Sequence, residues 1–148
     1  WMDNWADFFA EQRIGYQLEL AKRRGGNFPE SNRVVDLVRN KLTEWQPPVS
    51  LVHGDLWSGN AAISSDGAPI ILDPATYYGD RETDLAMTEL FGGFPTAFYN
   101  GYNEAWELDS GYRQRKSIYN LYHVLNHFNL FGGGYASQAK TIIQRLLP

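Results

Sequence analysis

Three residues whose side chains can do chemistry, His53, Asp55 and Asn60, lie within one short segment, HGDLWSGN. An ionised carboxylate can only accept hydrogen bonds, so Asp55 could take the proton of a hydroxyl group. Amide and carboxylate oxygens are ligands that suit Mg²⁺, so Asn60 could bind that ion. The two glycines of the segment would let its backbone bend tightly. The alternative is a surface turn in which Asp55 and Asn60 cap backbone amides.

The spacing of these residues is informative. Asp55 and Asn60 are five positions apart and His53 precedes the acid by two, which is the spacing of the protein-kinase catalytic loop. In that loop the aspartate accepts the proton of the substrate hydroxyl and the asparagine holds a magnesium ion. Phosphoryl transfer mainly requires positioning and charge neutralisation, which these residue types supply. The spacing therefore favours a phosphoryl-transfer site.

A second acid, Asp73, follows the apolar run IIL thirteen positions after Asn60. A hairpin between them, with SSDG as its turn, would bring its two ends together and make Asp73 a second metal ligand. The DFG aspartate of kinases has this role, but here the triplet is Asp73-Pro74-Ala75. Without a phenylalanine after the acid, we expect no switching of the eukaryotic kinase type. The alternative for Asp73 is a strand-end acid that binds nearby N–H groups.

Several longer segments extend the resemblance through nearly the whole chain. They are HGDLWSGN, DPATYYGDRETDLAMTELFGGF, LYHVLNHFNLFGGGY and WADFFAEQRIGYQLELAKRRGGNFP. These segments resemble the fructosamine kinase (ketosamine kinase) family, relatives of the aminoglycoside phosphotransferases. The resemblance implies the C-terminal lobe of a protein-kinase-like α+β fold, with Asp55 as catalytic base and with Asn60 and Asp73 on Mg²⁺. It also implies ATP-dependent phosphorylation of a sugar hydroxyl on ketosamines, the sugars that glycation links to amines.

By the resemblance, we expect the nucleotide-covering N-terminal lobe of that family to lie outside residues 1–148. The family's phosphate-pairing lysine lies in a strand, whereas all the lysines here fall in predicted helices: Lys22, Lys41, Lys116 and Lys140. We therefore expect residues 1–148 to form a single C-terminal catalytic lobe that is inactive alone. Two alternatives stay open: a kinase of another small hydroxyl compound, such as an aminoglycoside or choline, and a truncated lobe without catalytic function.

Five further residues are assigned supporting or substrate roles. His53 is interpreted as a structural histidine that bonds the loop backbone, because Asp55 already serves as the base. Asp84 lies at the head of a predicted helix, where a carboxylate suits the positive end of the helix dipole. In kinase-like folds an acid in this region supports the catalytic loop, and we expect that role here. For Trp57 the alternatives are stacking on a sugar and simple packing, and the resemblance favours the sugar. We also expect Asp80 and Arg81 near the substrate.

The hydrophobic periodicity predicts a mainly α chain with a small central β-hairpin. Apolar residues at helical spacing predict helices from residue 3 to about 24, from Pro29 to Trp45, and in four segments after Thr83. Short apolar runs predict strands at Leu51-Val52, NAAIS and APIILD, the last two joined by the SSDG turn. No repeat or linker divides the chain, so we predict one domain.

A histidine pair on one helix face, His123 and His127, has the i, i+4 spacing of some zinc ligands. No third ligand is evident beside them in the sequence. We therefore interpret the pair as part of a helix surface or of a polar network in the core.

The composition excludes several classes of protein. An apolar fraction of 43% and an aromatic fraction of 15% are sufficient for a packed core. Thirteen basic against seventeen acidic residues leave no positive field for nucleic acid or for an anionic membrane. There is no cysteine, which excludes disulfides and thiolate chemistry and favours a cytoplasmic protein. We predict a small-molecule partner, and the sequence leaves the oligomeric state open.

Overall fold

The computed structural model of the chain describes residues 2–147. These residues divide into two compact units. The first, here called the site unit, comprises residues 48–116; the second, here called the helical unit, comprises residues 2–47 and 117–147. Within the described residues, no helix is long and apolar enough to cross a membrane.

The helical unit contains most of the helical residues. Its helices are α1 (Trp5–Asp7), which continues through a π-helical stretch (Phe8–Gly15) into α2 (Tyr16–Arg23), then α3 (Ser31–Leu42), the larger part of α6 (Tyr112–Phe131) and α7 (Tyr135–Leu146). The core is formed by apolar side chains at helical spacing, among them Phe9, Ile14, Leu18, Val34, Val38, Leu42, Ile118, Leu121 and Leu125. The helix predicted from Pro29 to Trp45 is thus confirmed with shorter bounds, Ser31–Leu42.

The first predicted helix differs in its winding. Phe8–Gly15 forms a π-helix, and Phe9, Ala10 and Ile14 are buried within it. A Cβ atom at Gly15 would lie 3.3 Å from the carbonyl oxygen of Ala10, five residues earlier, so glycine suits this close approach. Over two turns, the apolar spacing of a π-helix is too similar to that of an α-helix for the sequence to separate them.

The site unit contains two small antiparallel sheets. In one, β2 (Ala61–Ile63) pairs with β3 (Pro69–Ile71), which confirms the predicted hairpin. Its turn is closed by backbone bonds from Ser64 to Ala68 and from Gly67 to Ser64. Gly67 has a φ of +87°, a left-handed conformation that favours glycine.

The second sheet pairs β1 (Val49–Val52) with β4 (Tyr77–Asp80). The sequence analysis predicted β1 in part and missed β4. The predicted single hairpin therefore accounts for only one of the two strand pairs. The YYGD segment carries no run of alternating apolar residues, and its partner strand is distant in sequence. Only the fold therefore identifies β4 as a strand.

Three helices complete the site unit: α4 (Glu82–Leu90), α5 (Thr96–Ala105) and the start of α6. Residues 85–88 of α4 are all buried, so this helix forms much of the interior of the unit. The helices predicted after Thr83 are confirmed. Because α4 starts directly after β4, its first turn lies close to the strands that bound the candidate loop.

Candidate active site

Asp84, in the first turn of α4, binds the start of the candidate loop. Its two carboxylate oxygens accept hydrogen bonds from the backbone N–H groups of His53 at 2.7 Å and Gly54 at 2.8 Å. Burial raises the pKa of Asp84, while the bonds from Gly54 and His53 act in the opposite direction. One side chain thus fixes two consecutive peptide groups directly before Asp55.

Gly54 is required at its position for two reasons. Its φ is +83°, which favours glycine. A Cβ atom at this position would also overlap the carbonyl oxygen of Ala75. That overlap reflects the close approach of two chain segments, since the N–H of Ala75 donates to the carbonyl of His53 at 2.8 Å.

Asp55 and Asn60 contact each other. The side-chain Nδ2 of Asn60 donates to the carbonyl oxygen of Asp55 at 2.8 Å and to its carboxylate Oδ2 at 3.1 Å. The backbone N–H of Asn60 donates to the carbonyl of Trp57 at 2.9 Å, within the short 3₁₀ turn Ser58–Asn60. Asn60 is buried, whereas Asp55 is half-buried. The contact leaves Asp55 Oδ1 and Asn60 Oδ1 without a hydrogen bond from the described residues.

Asp73 is held beside this pair by its backbone neighbours. The N–H of Leu72 donates to the carbonyl of Asn60 at 3.0 Å, and Ala75 on the other side is bonded to His53. Asp73 itself has a φ of +55°, a conformation that aspartate adopts more readily than most residues. Its carboxylate is exposed, and no described residue donates a hydrogen bond to it. Among the described residues, no nearby N–H group thus binds the carboxylate as the alternative for Asp73 would require.

His53 links the two parts of the site with its ring. Its Nε2–H donates to the carbonyl of Leu72 at 3.0 Å, and its Nδ1 accepts from the backbone N–H of Asp55 at 3.3 Å. These bonds fit the Nε2–H tautomer, because a carbonyl oxygen can only accept. The imidazole is buried and bonds the loop backbone.

Trp57 lies inside the loop with 37% of its surface exposed. Its ring covers Gly59, where a Cβ atom would overlap the ring carbons. The side chain therefore packs on its own loop and still presents part of its ring surface to solvent.

Asp80 and Arg81 make contacts inside the site unit. The carboxylate of Asp80, which is 1% exposed, accepts a hydrogen bond from the N–H of Glu82 at 2.9 Å. The guanidinium of Arg81 donates to the carbonyls of Trp106 at 2.9 Å and Glu107 at 2.7 Å. It also lies over the Trp106 ring, 4.2 Å from the centroid. The structure does not bring Arg81 into contact with Asp55, Asn60 or Asp73.

A buried ion pair in this unit was missed by the sequence analysis. Arg115 Nε and Nη2 each lie 2.8 Å from a different carboxylate oxygen of Glu82. Burial raises the pKa of Glu82 and the Arg115 hydrogen bond opposes that rise. The hydrogen bond from Arg115 also lowers the pKa of Asp109. Two opposite charges far apart in sequence give no pattern that would have identified the pair.

The histidine pair in the helical unit is not part of a larger ligand cluster. His127 Nδ1 bonds the carbonyl of His123 at 2.8 Å, and His123 is buried. Across residues 2–147, no group of three or more His, Cys, Asp or Glu side chains could hold a metal ion. These contacts match the interpretation of the pair as part of a polar network.

Comparison with known proteins gives consistent matches. The family model described as fructosamine kinase matches residues 1–148. A "Probable ketoamine kinase" from Synechocystis sp. (strain ATCC 27184 / PCC 6803 / Kazusa) is 64% identical over 99% of this chain and 50% of its own length. The "Protein-ribulosamine 3-kinase, chloroplastic" of Arabidopsis thaliana is 43% identical over 99% of this chain and 46% of its own length. The chain thus spans about half the length of the curated relatives it matches.

A solved structure shows the same fold. The crystal structure of a Haemophilus somnus 129PT protein, whose name includes the words "fructosamine-3-kinase", matches with a TM-score of 0.94 at 40% identity. The match covers 100% of this chain and 51% of that chain. The protein-kinase-like fold expected from the sequence is confirmed. Since the family model and these relatives agree over the whole sequence, the chain belongs to the fructosamine kinase family.

Proposed function

We propose that this chain is the catalytic lobe of a small-molecule kinase that phosphorylates a sugar hydroxyl of ketosamines with ATP. The observation that carries the proposal is the contact of Asp55 with Asn60 in a loop whose start is bound by Asp84. The names of two relatives, a ketoamine kinase and a ribulosamine 3-kinase, support the substrate class.

Asp55 is the proposed catalytic base. The side chain of Asn60 donates a hydrogen bond to Oδ2 of the Asp55 carboxylate. The other oxygen, Oδ1, is then left to accept the proton of the acceptor hydroxyl. As that proton moves to Asp55, the hydroxyl oxygen bonds the transferred phosphoryl group and the bond to ADP breaks. Fixing the loop backbone before Asp55 matters because phosphoryl transfer depends on positioning.

Asn60 and Asp73 are the proposed ligands of Mg²⁺. Both present oxygen atoms that receive no hydrogen bond from the described residues, so both fit a hard cation. Mg²⁺ is usually held by one or two carboxylates together with substrate phosphates, so this site does not require a cluster of three acids. The ion would neutralise charge on the ATP phosphates.

The other predicted site residues take supporting roles in this proposal. His53 and Asp84 hold the loop through the bonds described above. Trp57 is a candidate platform for the sugar, because part of its ring surface is exposed. For Asp80 and Arg81 we favour structural roles over substrate binding, since their charged groups already bond protein atoms.

The nucleotide cover is proposed to lie outside this chain. The chain spans about half of its relatives' length, and its lysines lie in helices α2, α3, α6 and α7. ATP would then bind between this lobe and another part of the full-length protein. Because the net charge of the chain is −4, we propose a small molecule as the partner, not nucleic acid or a membrane surface. Because the chain has no cysteine, we propose a cytoplasmic location.

The test is an assay of the full-length protein that contains this chain. It is incubated with Mg-ATP and a panel of ketosamines, aminoglycosides and choline, and phosphorylated products are measured by mass spectrometry. Selective turnover of ketosamines is expected. Selective turnover of another hydroxyl compound would overturn the substrate class, and no turnover of any would overturn the kinase assignment.

Calorimetry tests the alternative that the chain is a lobe without catalytic function. The 148-residue chain is titrated with Mg-ATP beside the full-length protein. We expect weak or no binding by the chain and clear binding by the full-length protein. Tight binding by the chain alone would contradict the proposal that the nucleotide cover lies elsewhere.

A further inference from the structure

The ion pair of Glu82 with Arg115 is the most buried pair of opposite charges described in the site unit. Glu82 is 2% exposed and Arg115 is 9% exposed. The guanidinium binds both carboxylate oxygens of Glu82 at 2.8 Å, and its Nη2 also lies 2.7 Å from Asp109. Such a two-pronged contact fixes direction as well as distance.

The position of Glu82 connects this pair to the candidate loop. Glu82 is the first residue of α4, and its N–H is bonded to the buried carboxylate of Asp80. Two residues later in the same turn, Asp84 binds the amides of His53 and Gly54. A rotation of this turn would therefore move the acceptor on which the start of the loop depends.

Charge makes this turn sensitive to Arg115. The carboxylates of Asp80, Glu82 and Asp84 lie within five consecutive residues. The negative charges of Asp80 and Asp109 both raise the pKa of Glu82, and Arg115 opposes them. If the guanidinium fork were lost, a buried carboxylate beside other acids would lose two charged hydrogen bonds, and the turn would shift to relieve the repulsion.

We propose that Arg115 is a positioning residue for the catalytic loop. By binding Glu82, it fixes the first turn of α4 and thereby the orientation of the Asp84 carboxylate that binds the N–H groups of His53 and Gly54. The proposal rests on the proposed kinase function. A role in stability alone is a weaker explanation, because a buried ion pair often adds little net stability compared with apolar residues of similar size.

The first test replaces the guanidinium of Arg115 and keeps its positive charge. Arg115→Lys, made in the full-length protein, places a single ammonium where two directed N–H groups stood. We expect kcat to fall roughly 10- to 100-fold, because small displacements of a catalytic group have effects of that size. The KM values for ATP and ketosamine should stay unchanged, since no substrate contact is altered.

A second readout follows the loop directly and does not depend on activity. Amide hydrogen exchange, measured on peptides that contain His53 and Gly54, should become faster in Arg115→Lys. The reason is that both amides are protected by Asp84. This readout would remain informative even if the full-length protein did not phosphorylate ketosamines, so failure of the proposed function and failure of this inference are distinguishable.

Two neighbouring variants serve as controls. Asp109→Asn weakens the more exposed partner of the same guanidinium. Lys116→Met removes an ion pair to Glu89 at the adjacent position of α6. Neither change removes a hydrogen bond between Arg115 and Glu82, so both should retain kcat and the exchange rates of the loop amides.

A double-mutant cycle tests whether Arg115 affects kcat through Glu82. If Arg115 acts through Glu82, the double variant Glu82→Gln/Arg115→Lys should lose no more kcat than the more affected single variant. Fully additive losses would overturn the proposed route. So would single variants that unfold at lower temperature yet keep wild-type kcat and loop-amide exchange.

A further pair of substitutions covers the case in which the single variants do not fold. Glu82→Met with Arg115→Met replaces the ion pair by apolar side chains, a change that is often tolerated. A folded double variant with reduced kcat and faster exchange at His53 and Gly54 would support the proposal. The same variant with full kcat and unchanged exchange would overturn it.

Discussion

The carboxylate of Asp84 accepts a hydrogen bond from the backbone N–H of Gly54 at 2.8 Å, across thirty positions of sequence. Its other oxygen binds the N–H of His53. The site thus begins with two peptide groups held by one acid on a buried helix. The catalytic assignment of Asp55 depends on this arrangement, because the residue follows directly after the two fixed groups.

Replacing Asp84 by Asn should impair the loop without touching the substrate. An amide offers one oxygen acceptor, so one of the two backbone N–H groups loses its bond and faces an NH₂ group. We expect kcat to fall by about 10²-fold in the full-length protein. Steady-state kinetics with Mg-ATP and ketosamine measure this change, and an unchanged kcat would contradict the supporting role of Asp84.

The same variant predicts a difference in pH dependence. Burial raises the pKa of Asp84 above its ordinary value of 3.8, so the folded protein binds this proton more tightly than the unfolded chain. Its contribution to the free energy of unfolding therefore decreases as pH rises from 3.8 through the folded-state pKa. Urea denaturation of wild type and Asp84→Asn at stepped pH should show this slope only in the wild type. A parallel dependence in both would show that Asp84 does not contribute.

Replacing Asp55 by Asn should remove the base and retain the fold. An amide cannot take the hydroxyl proton, so we expect kcat to fall roughly 10²- to 10⁴-fold with ATP binding preserved. The matched control is Asp66→Asn, an exposed acid in the β2–β3 turn of the same unit. Full activity of Asp55→Asn would refute the assignment.

Replacing Asp73 by Asn should weaken the response to magnesium. The charge of one proposed ligand is lost, so the Mg²⁺ concentration that gives half-maximal activity should rise, and saturating Mg²⁺ should restore part of the rate. A magnesium titration of activity measures both effects. Asp55→Asn provides the contrast, because its residual rate should keep the wild-type dependence on Mg²⁺. An unshifted titration for Asp73→Asn would exclude it as a ligand.

Two glycine substitutions separate backbone strain from steric overlap. Gly54 and Gly67 both have left-handed φ values, of +83° and +87°. A Cβ atom at Gly67 meets nothing within 4 Å, whereas one at Gly54 overlaps the Ala75 carbonyl. Gly67→Ala should therefore cost about 1 kcal/mol and Gly54→Ala clearly more. Urea denaturation compares them; equal losses would mean that the chain near Ala75 can move aside.

The residues that do the proposed chemistry were predictable because their relationships are local. Five positions separate Asp55 from Asn60, and a short hairpin with a recognisable turn joins Asn60 to Asp73. Helices were predictable for a similar reason, since each one has its own apolar periodicity. For these features, the side chains themselves carry the signal over a few residues of chain.

The features that hold the site were decided only by the tertiary structure. The pairing of β1 with β4, the bond from Gly54 to Asp84 and the pair of Glu82 with Arg115 join distant segments. The resemblance implied that Asp84 supports the loop, but the sequence does not indicate which atoms pair, because hydrogen bonds and ion pairs of this kind depend on where the folded backbone places each group. The sequence by itself thus determined the proposed reactive residues and the helical class, and folding determined which groups hold those residues in position.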